Sequence, residues 1–180
     1  MASPAPLVPA IDGIVDQVKA ALGSAFLSAK DEVDELSIDV ARESVAAVLT
    51  TLRDRFEYQQ LMEIAGVDYP DRPERFEVVY HLLSLTKNRR IRVRVATDEA
   101  TPVPSVSGVW RAANWPEREV YDMYGVRFEG HPDMTRILLW EGFNGHPLRK
   151  DFPVEGIDTG SAIYPEYYEE SAGPVAGTGA

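Results

Sequence analysis

Apolar positions in the first third of the chain follow the spacing of helices. From Ile11, apolar side chains recur every three or four residues as far as Leu22, and Gly23 then stands where a helix can end. A second helix is predicted over residues 42–56, because its apolar residues fall on one face. Those residues are Val45, Val48, Leu49 and Leu52. Two short β-like runs lie between the helices, at residues 26–29 and 36–40.

Three strand candidates follow in series, over residues 60–68, 75–85 and 90–97. In the third, apolar residues alternate with arginines, which is the pattern of a half-buried strand. The order of helices and strands predicts an α+β, two-layer domain. In that domain the helices pack on one face of a mixed, mostly antiparallel sheet.

The texture of the sequence changes after Asp98. Residues 106–125 have an interrupted helical pattern, in which Pro116 starts a second short segment and Gly125 ends it. Beyond Gly125 the chain is rich in turn residues, which predicts an irregular C-terminal extension. We therefore expect a flexible N-terminus over residues 1–10, an α+β domain over 11–140, and a Pro/Gly-rich, acidic extension over 141–180.

Composition narrows the possible functions. The chain has 180 residues, a net charge of −11 and no cysteine, so thiolate zinc sites and iron–sulfur ligation by cysteine are excluded. The acidic balance argues against binding of nucleic acid and against independent docking on anionic lipid. No run approaches the roughly 20 apolar residues of a membrane span, and the N-terminus lacks the pattern of a signal peptide. We expect a cytoplasmic protein that associates with a membrane only through partners.

Acid–base residues are concentrated after Pro116. Arg118 and Asp122 are predicted to pair, since they lie four residues apart on a helix. Glu119, Asp122 and His131 include the residue types of a hydrolase or metal enzyme, but no known motif spacing joins them. His131 and His146 precede Pro132 and Pro147, so both are predicted to form structural hydrogen bonds in extended turns.

Three further features have two interpretations each. Residues 145–153 form either a solvated loop or a recognition strip laid on another protein. Arginines 89–94 mark either the wet face of a sheet or a docking patch for an acidic partner. The tail tyrosines are either free or adhesive on a partner, and they are Tyr164, Tyr167 and Tyr168.

Residues 114–153 carry a dense set of family-specific motifs. Residues 117–126 read Glu-Arg-Glu-Val-Tyr-Asp-Met-Tyr-Gly-Val, followed by Gly-His-Pro-Asp-Met at 130–134, Arg-Ile-Leu at 136–138 and His-Pro-Leu-Arg-Lys-Asp-Phe-Pro at 146–153. This run resembles the signature of the 30-kDa-type subunit of respiratory complex I. Pro116 and the tail after Gly156 depart from the pattern of many members.

The resemblance implies a peripheral-arm subunit of the quinone-reducing module that packs on the 49-kDa-type subunit. The complex would perform NADH-driven quinone reduction coupled to proton translocation at the cytoplasmic face of the inner membrane. This chain would hold no flavin, cluster, quinone, metal or catalytic residue. Its interface or architectural residues are expected to be Arg118, Glu119, Asp122, Gly125, His131, Pro132, Arg136, His146, Pro147, Arg149, Lys150 and Asp151.

Two alternatives accompany this interpretation. The same motifs would serve in the homologous subunit of a ferredoxin–plastoquinone reductase or of a membrane-bound hydrogenase. A more remote hypothesis is a free-standing hydrolase that uses Glu119, Asp122 and His131.

Overall fold

A computed structural model describes residues 13–32 and 35–156, and it confirms the predicted α+β class. Five strands form one mixed sheet in the order β1-β2-β5-β4-β3, with antiparallel pairing except between β2 and β5. A separate pair, β6 and β7, is parallel. The strands are β1 (Phe26–Glu32), β2 (Glu35–Val40), β3 (Gln60–Asp68), β4 (Phe76–Ser84), β5 (Arg89–Thr97), β6 (Val103–Pro104) and β7 (Phe128–Glu129).

The helices occupy the predicted segments with shifted ends. They are α1 (Ile14–Leu22), α2 (Val45–Phe56) and α3 (Asn114–Tyr124), with short 3-10 turns at Gly23–Ala25, Arg42–Ser44 and Arg111–Ala113. The predicted start of α1 at Ile11 lies outside the described residues. The prediction that Pro116 starts a helical segment was wrong, because α3 begins at Asn114. Pro116 fits inside the first turn, where a backbone N–H has no intrahelical partner to lose.

Alternating strand residues give the sheet two different faces. The inner face is apolar and packs against α2, whose buried side chains include Val48 and Leu52. Helix α3 lies over β3, where Gly66 leaves room for the ring of Tyr124: a Cβ at Gly66 would stand 2.5 Å from that ring. The outer face carries the arginines of β5, as expected for a sheet with one covered face.

The β5 arginines form ion pairs with acids of β2. Arg92 lies 2.6 Å from Glu35, and Arg94 lies 2.8 Å from Asp39. These pairs agree with the interpretation as the wet face of a sheet, and the docking interpretation stays a prediction. Among the described residues, no helix is both long and apolar enough to cross a membrane.

Candidate functional site

Asp122 is a buried carboxylate that holds a loop against α3. Its side chain is fully buried, and its Oδ2 accepts hydrogen bonds from three successive backbone N–H groups at 2.8–3.1 Å. Those groups belong to Ile137, Leu138 and Leu139. Its Oδ1 accepts a bond of 2.7 Å from Arg136 Nη1. Asp122 therefore fixes the path of residues 136–139, and it does so with Leu138 left 61% exposed.

The hydrogen bonds outweigh the cost of burying this charge. Burial by itself raises the pKa of Asp122, but the N–H groups of Leu139, Leu138 and Ile137, together with Arg136, favour the ionised form. The pKa of Asp122 consequently lies below its ordinary value. The carboxylate is thus a charged anchor at neutral pH.

The predicted pair between Arg118 and Asp122 is wrong. Arg118 donates instead to the carbonyl oxygens of Thr135 and Arg136, each at 3.0 Å. Residues 135–139 lie along this side of α3, with carbonyl groups presented to Arg118 and N–H groups presented to Asp122. Because the loop satisfies both side chains, the spacing of four residues along the helix does not decide their partners.

The chain's own C-terminal strip caps the end of α3. His146 Nδ1 donates to the carbonyl of Asp122 at 2.9 Å, Leu148 N to Met123 at 3.2 Å, and Arg149 Nε to Tyr124 at 2.6 Å. These last-turn carbonyls have no partner within the helix, and a cation at this end interacts favourably with the helix dipole. The strip at residues 145–152 is therefore docked on its own domain.

Glycine is required where the strip meets the helix. Gly125 has φ +82°, and an added Cβ would lie 2.5 Å from Arg149 Nη2 and 2.7 Å from His146 Nε2. Burial lowers the pKa of His146, and the neighbouring cations Arg149 and Arg136 lower it further. A neutral His146 matches its role as a donor to a backbone carbonyl.

A second buried carboxylate, Asp68 at the end of β3, holds the other part of the strip. It accepts from Arg75 Nε at 2.7 Å and from the backbone N–H of Lys150 at 2.7 Å. Arg75 also lies 2.9 Å from Asp151. Arg75 is the main reason that the pKa of Asp68 lies below its ordinary value.

The third buried carboxylate, Glu117, lies in the first turn of α3. Its two oxygens accept from the backbone N–H of Val106 and from the hydroxyl of Ser105, both at 2.6 Å. His131 Nε2 lies 3.9 Å away and donates to the carbonyl of Asn114 at 3.0 Å, while His131 Nδ1 accepts from Asp133 N. Glu117 thus connects residues 105–106 to α3, with His131 packed alongside.

Glu117 differs from the other two in its proton affinity. Burial raises the pKa of Glu117 to about 7, because the hydroxyl of Ser105 and the N–H of Val106 offset it only in part. No guanidinium forms an ion pair with this carboxyl among the described residues.

The sequence-predicted site residues thus fall into two groups. Most of them form hydrogen bonds within the chain, as described above. Glu119, Pro132 and the side chain of Lys150 are exposed, and Pro147 is half-buried beside His146. No hydrogen bond or ion pair in the described part of the chain joins Glu119, Asp122 and His131, so the geometry gives the hydrolase hypothesis no support. Nor do residues 13–32 and 35–156 contain a cluster of three His, Cys, Asp or Glu side chains that could hold a metal.

Sequence reasoning misses four residues of this system. It explains Glu117 only as an acid at the positive end of a helix, and it does not single out Ser105, Asp68 or Arg75. A sequence signal exists only for Glu117, since it lies one turn from Val120 and shares its buried side.

Together, fold and site define a small α+β domain whose buried carboxylates order its own irregular segments. The family model described as respiratory-chain NADH dehydrogenase, 30 Kd subunit, matches residues 38–158. The chain therefore belongs to this family, and the resemblance found in the sequence is confirmed.

Relatives whose names make them a subunit of NADH-quinone oxidoreductase are similar over most of the chain. The relative from Erythrobacter litoralis is 56% identical over 152 residues, which cover 84% of this chain and 61% of the relative. The relative from Novosphingobium aromaticivorans is 57% identical, over 81% of this chain and 47% of the relative. The chain thus spans less than two thirds of the length of these two relatives. One from Methylobacterium sp. is 50% identical, over 86% of this chain and 76% of the relative.

A solved structure shares the fold. It is the membrane-bound sulfane sulfur reductase, described as an archaeal respiratory membrane complex. One of its chains matches with a TM-score of 0.68 and 26% sequence identity, covering 78% of this chain and 84% of that chain.

Proposed function

We propose that this chain serves as the 30-kDa-type component of a proton-translocating NADH:quinone oxidoreductase, and that its contribution is structural. It would pack on the 49-kDa-type subunit in the quinone-reducing module, at the cytoplasmic face of the inner membrane. Membrane association would come only through the complex. The 50–57% identity to three relatives named for NADH-quinone oxidoreductase supports this assignment.

One observation supports a structural role above all. The charged side chains of the family signature bind the chain's own backbone: Asp122 holds residues 137–139, Arg118 holds 135–136, and Arg149 caps α3. Side chains saturated in this way hold a surface in shape. They are poorly placed to exchange protons or electrons with a substrate.

Flavin, iron–sulfur clusters and quinone would belong to partner subunits. The sequence has no cysteine, so it offers no thiolate for a cluster. NADH would be oxidised elsewhere in the complex, and this chain would contribute the geometry of an interface.

The structural neighbour supports a second candidate. Because a chain of a sulfane sulfur reductase has the same fold at 26% identity, the fold occurs in a respiratory membrane complex with a different name and substrate. A ferredoxin- or hydrogenase-type complex would therefore accommodate the same kind of chain, and the electron donor has to be tested directly.

The test is co-migration of the tagged full chain on native gels of gently solubilised membranes, stained for NADH oxidation. We expect a large NADH-active band that contains a 49-kDa-type partner. A large band without NADH activity favours the second candidate, and a chain that migrates alone contradicts both.

A substitution then separates structure from catalysis. Asp122→Asn should lower the amount of assembled complex while turnover per assembled complex stays near that of the wild type. The exposed Glu129→Gln serves as the control and should change neither quantity. Normal abundance of the Asp122→Asn complex with sharply reduced turnover would contradict the structural role.

A further inference from the structure

A groove runs between strand β3 and helix α3. One wall consists of five successive residues of β3, 62–66, and the other includes Pro116, Glu119 and Met123 of α3, with Leu148 of the C-terminal strip at its end. Successive strand residues point to opposite faces, so a wall built from all five is the edge of the strand. The groove therefore exposes backbone as well as side chains.

Strand β3 lies at the edge of the sheet. It pairs only with β4, and within residues 13–32 and 35–156 no backbone hydrogen bond joins its other edge to a further strand. Proteins usually guard such edges with charges, proline or bulges. The opposite edge strand, β1, carries Lys30 and Asp31, whereas residues 64–67 of β3 are uncharged. A bulge at Met62 interrupts only the start of β3.

Apolar side chains with high exposure surround this unguarded edge. Met62 is 51% exposed, Leu148 is 49% exposed, and Trp115, next to the groove residue Pro116, is 69% exposed. The groove volume is about 240 Å³, below the roughly 300–1,000 Å³ typical of small-molecule pockets. The space suits a few side chains of a polypeptide better than a cofactor.

Charge selects among the possible occupants. The groove is lined by two acids, Glu63 and Glu119, which form no ion pair in the described part of the chain, and by no lysine or arginine. The chain's own residues 152–180 contain five acids and no lysine or arginine, and a second copy would bring a net charge of −11. Both would be repelled, whereas a segment with a cation would be attracted.

We propose that the β3–α3 groove receives an extended segment of a different polypeptide, which adds a strand to the edge of β3. Its apolar side chains would contact Met62, Met123 and Leu148, and a lysine or arginine would face Glu63 and Glu119. Main-chain bonds give such a strand its affinity, and side-chain contacts give it specificity. This inference rests on the proposed function and deepens it, because the segment would belong to another component of the same complex.

Hydrogen exchange tests the added strand. The full chain is compared alone at low concentration and within the purified complex, with the β4-facing amides of β3 as an internal standard. The amides of residues 63–67 that exchange fast in the free chain should exchange at least about tenfold slower in the complex. Equal rates in both states would overturn the proposal and leave the proposed function intact. Slow exchange already in the free chain would overturn it by assigning the groove to the chain's own tail.

Charge reversal tests the identity of the occupant. Glu119→Lys should lower the recovery of the chain in the complex about tenfold, because like charges placed across an interface repel. Glu129→Lys makes the same change at an exposed position outside the groove and should leave recovery unchanged. Equal recovery of the two variants contradicts a cationic occupant. A wild-type chain that never enters a complex defeats the proposed function, and this inference with it.

Discussion

Helix α3 buries a carboxylate near each end, and the surroundings of the two groups differ. Both Glu117 and Asp122 have no exposed surface. Asp122 receives three backbone N–H groups and a guanidinium, whereas Glu117 receives one N–H and one hydroxyl. The number and charge of the donors, with exposure the same, set the two pKa values in opposite directions.

The comparison separates two kinds of anchor. The ionised Asp122 holds residues 136–139 through charge, so its loop depends on a guanidinium remaining paired. Glu117 holds residues 105–106 through hydrogen bonds, and its protonated form is the one that burial favours. One end of α3 should therefore be sensitive to loss of charge and the other to its presence.

The largest expected effect is at Asp122. Asp122→Asn keeps the shape of the side chain but leaves Arg136 without its anion, and breaking a buried pair in this way costs about 3–5 kcal/mol. The free energy of unfolding of the full chain, measured with urea at pH 7.5, should fall by that amount. Glu117→Gln is the matched control and should be neutral or stabilising at the same pH. Equal losses in the two variants would remove the distinction between the two ends.

The second prediction concerns pH and the Glu117 end. The folded chain keeps its proton on Glu117 up to a pKa of about 7, while the unfolded chain releases it near 4.5. Between these values the folded state binds more protons, so this contribution to stability is fully present below pH 4.5 and is lost as pH rises to 7. The shift corresponds to about 3 kcal/mol. Unfolding with urea across this range should show that loss in the wild type, with Glu117→Gln lacking this contribution.

Other titrating groups require the comparison with this variant. The lowered pKa of His146 has the opposite sign, because the unfolded chain binds a proton just below pH 6.5 and stability there rises with pH. Tyr80 faces Glu117, but its pKa is raised well above 10 and it does not titrate in this range. His131 also lies close to Glu117. The difference between wild type and variant reports the Glu117 contribution together with its coupling to His131.

Much of the fold is predictable because its signals are local. The apolar pattern along residues 60–68 locates β3 correctly, and the apolar stripe of residues 45–52 locates the buried face of α2. The parallel pairing of β2 with β5 leaves no such signal, since it joins segments about fifty residues apart. The order of strands therefore has to come from the structure.

The site is less predictable for the same reason. The rule for helix neighbours assigns Arg118 to Asp122, but the true partner is Arg136, fourteen residues away in a segment without periodicity. Glu117 has a sufficient local explanation at a helix start, which conceals its burial. Where irregular chain covers a helix, long-range hydrogen bonds decide partners, and spacing along the sequence does not reveal them.

A third prediction sharpens the description of the Asp122 end. Gly125→Ala should destabilise the chain by about 1–2 kcal/mol for the left-handed backbone, with a further loss from contact with Arg149 and His146. Gly130→Ala is the control, because Gly130 also has positive φ but an added Cβ meets nothing within 4 Å. Urea unfolding should show the larger loss at Gly125, and limited proteolysis should cut residues 145–152 faster only in that variant. Equal losses would mean that the strip does not depend on this contact.

The smallest expected effect is at Ser105, whose hydroxyl donates to Glu117. Ser105→Ala removes a hydrogen bond that favours the ionised carboxylate, so the pKa of Glu117 in the folded chain should rise further. The loss should be roughly 1 kcal/mol at pH 5, where the carboxyl is protonated, and roughly 2 kcal/mol at pH 8, where it is charged. Urea unfolding at the two pH values measures the difference, and Ser107→Ala, beside Ser105 but without a bond to Glu117, is the control. A loss that does not grow with pH would mean that Glu117 is not the ionising partner of Ser105, and the contrast between the two ends of α3 would then rest on Asp122 alone.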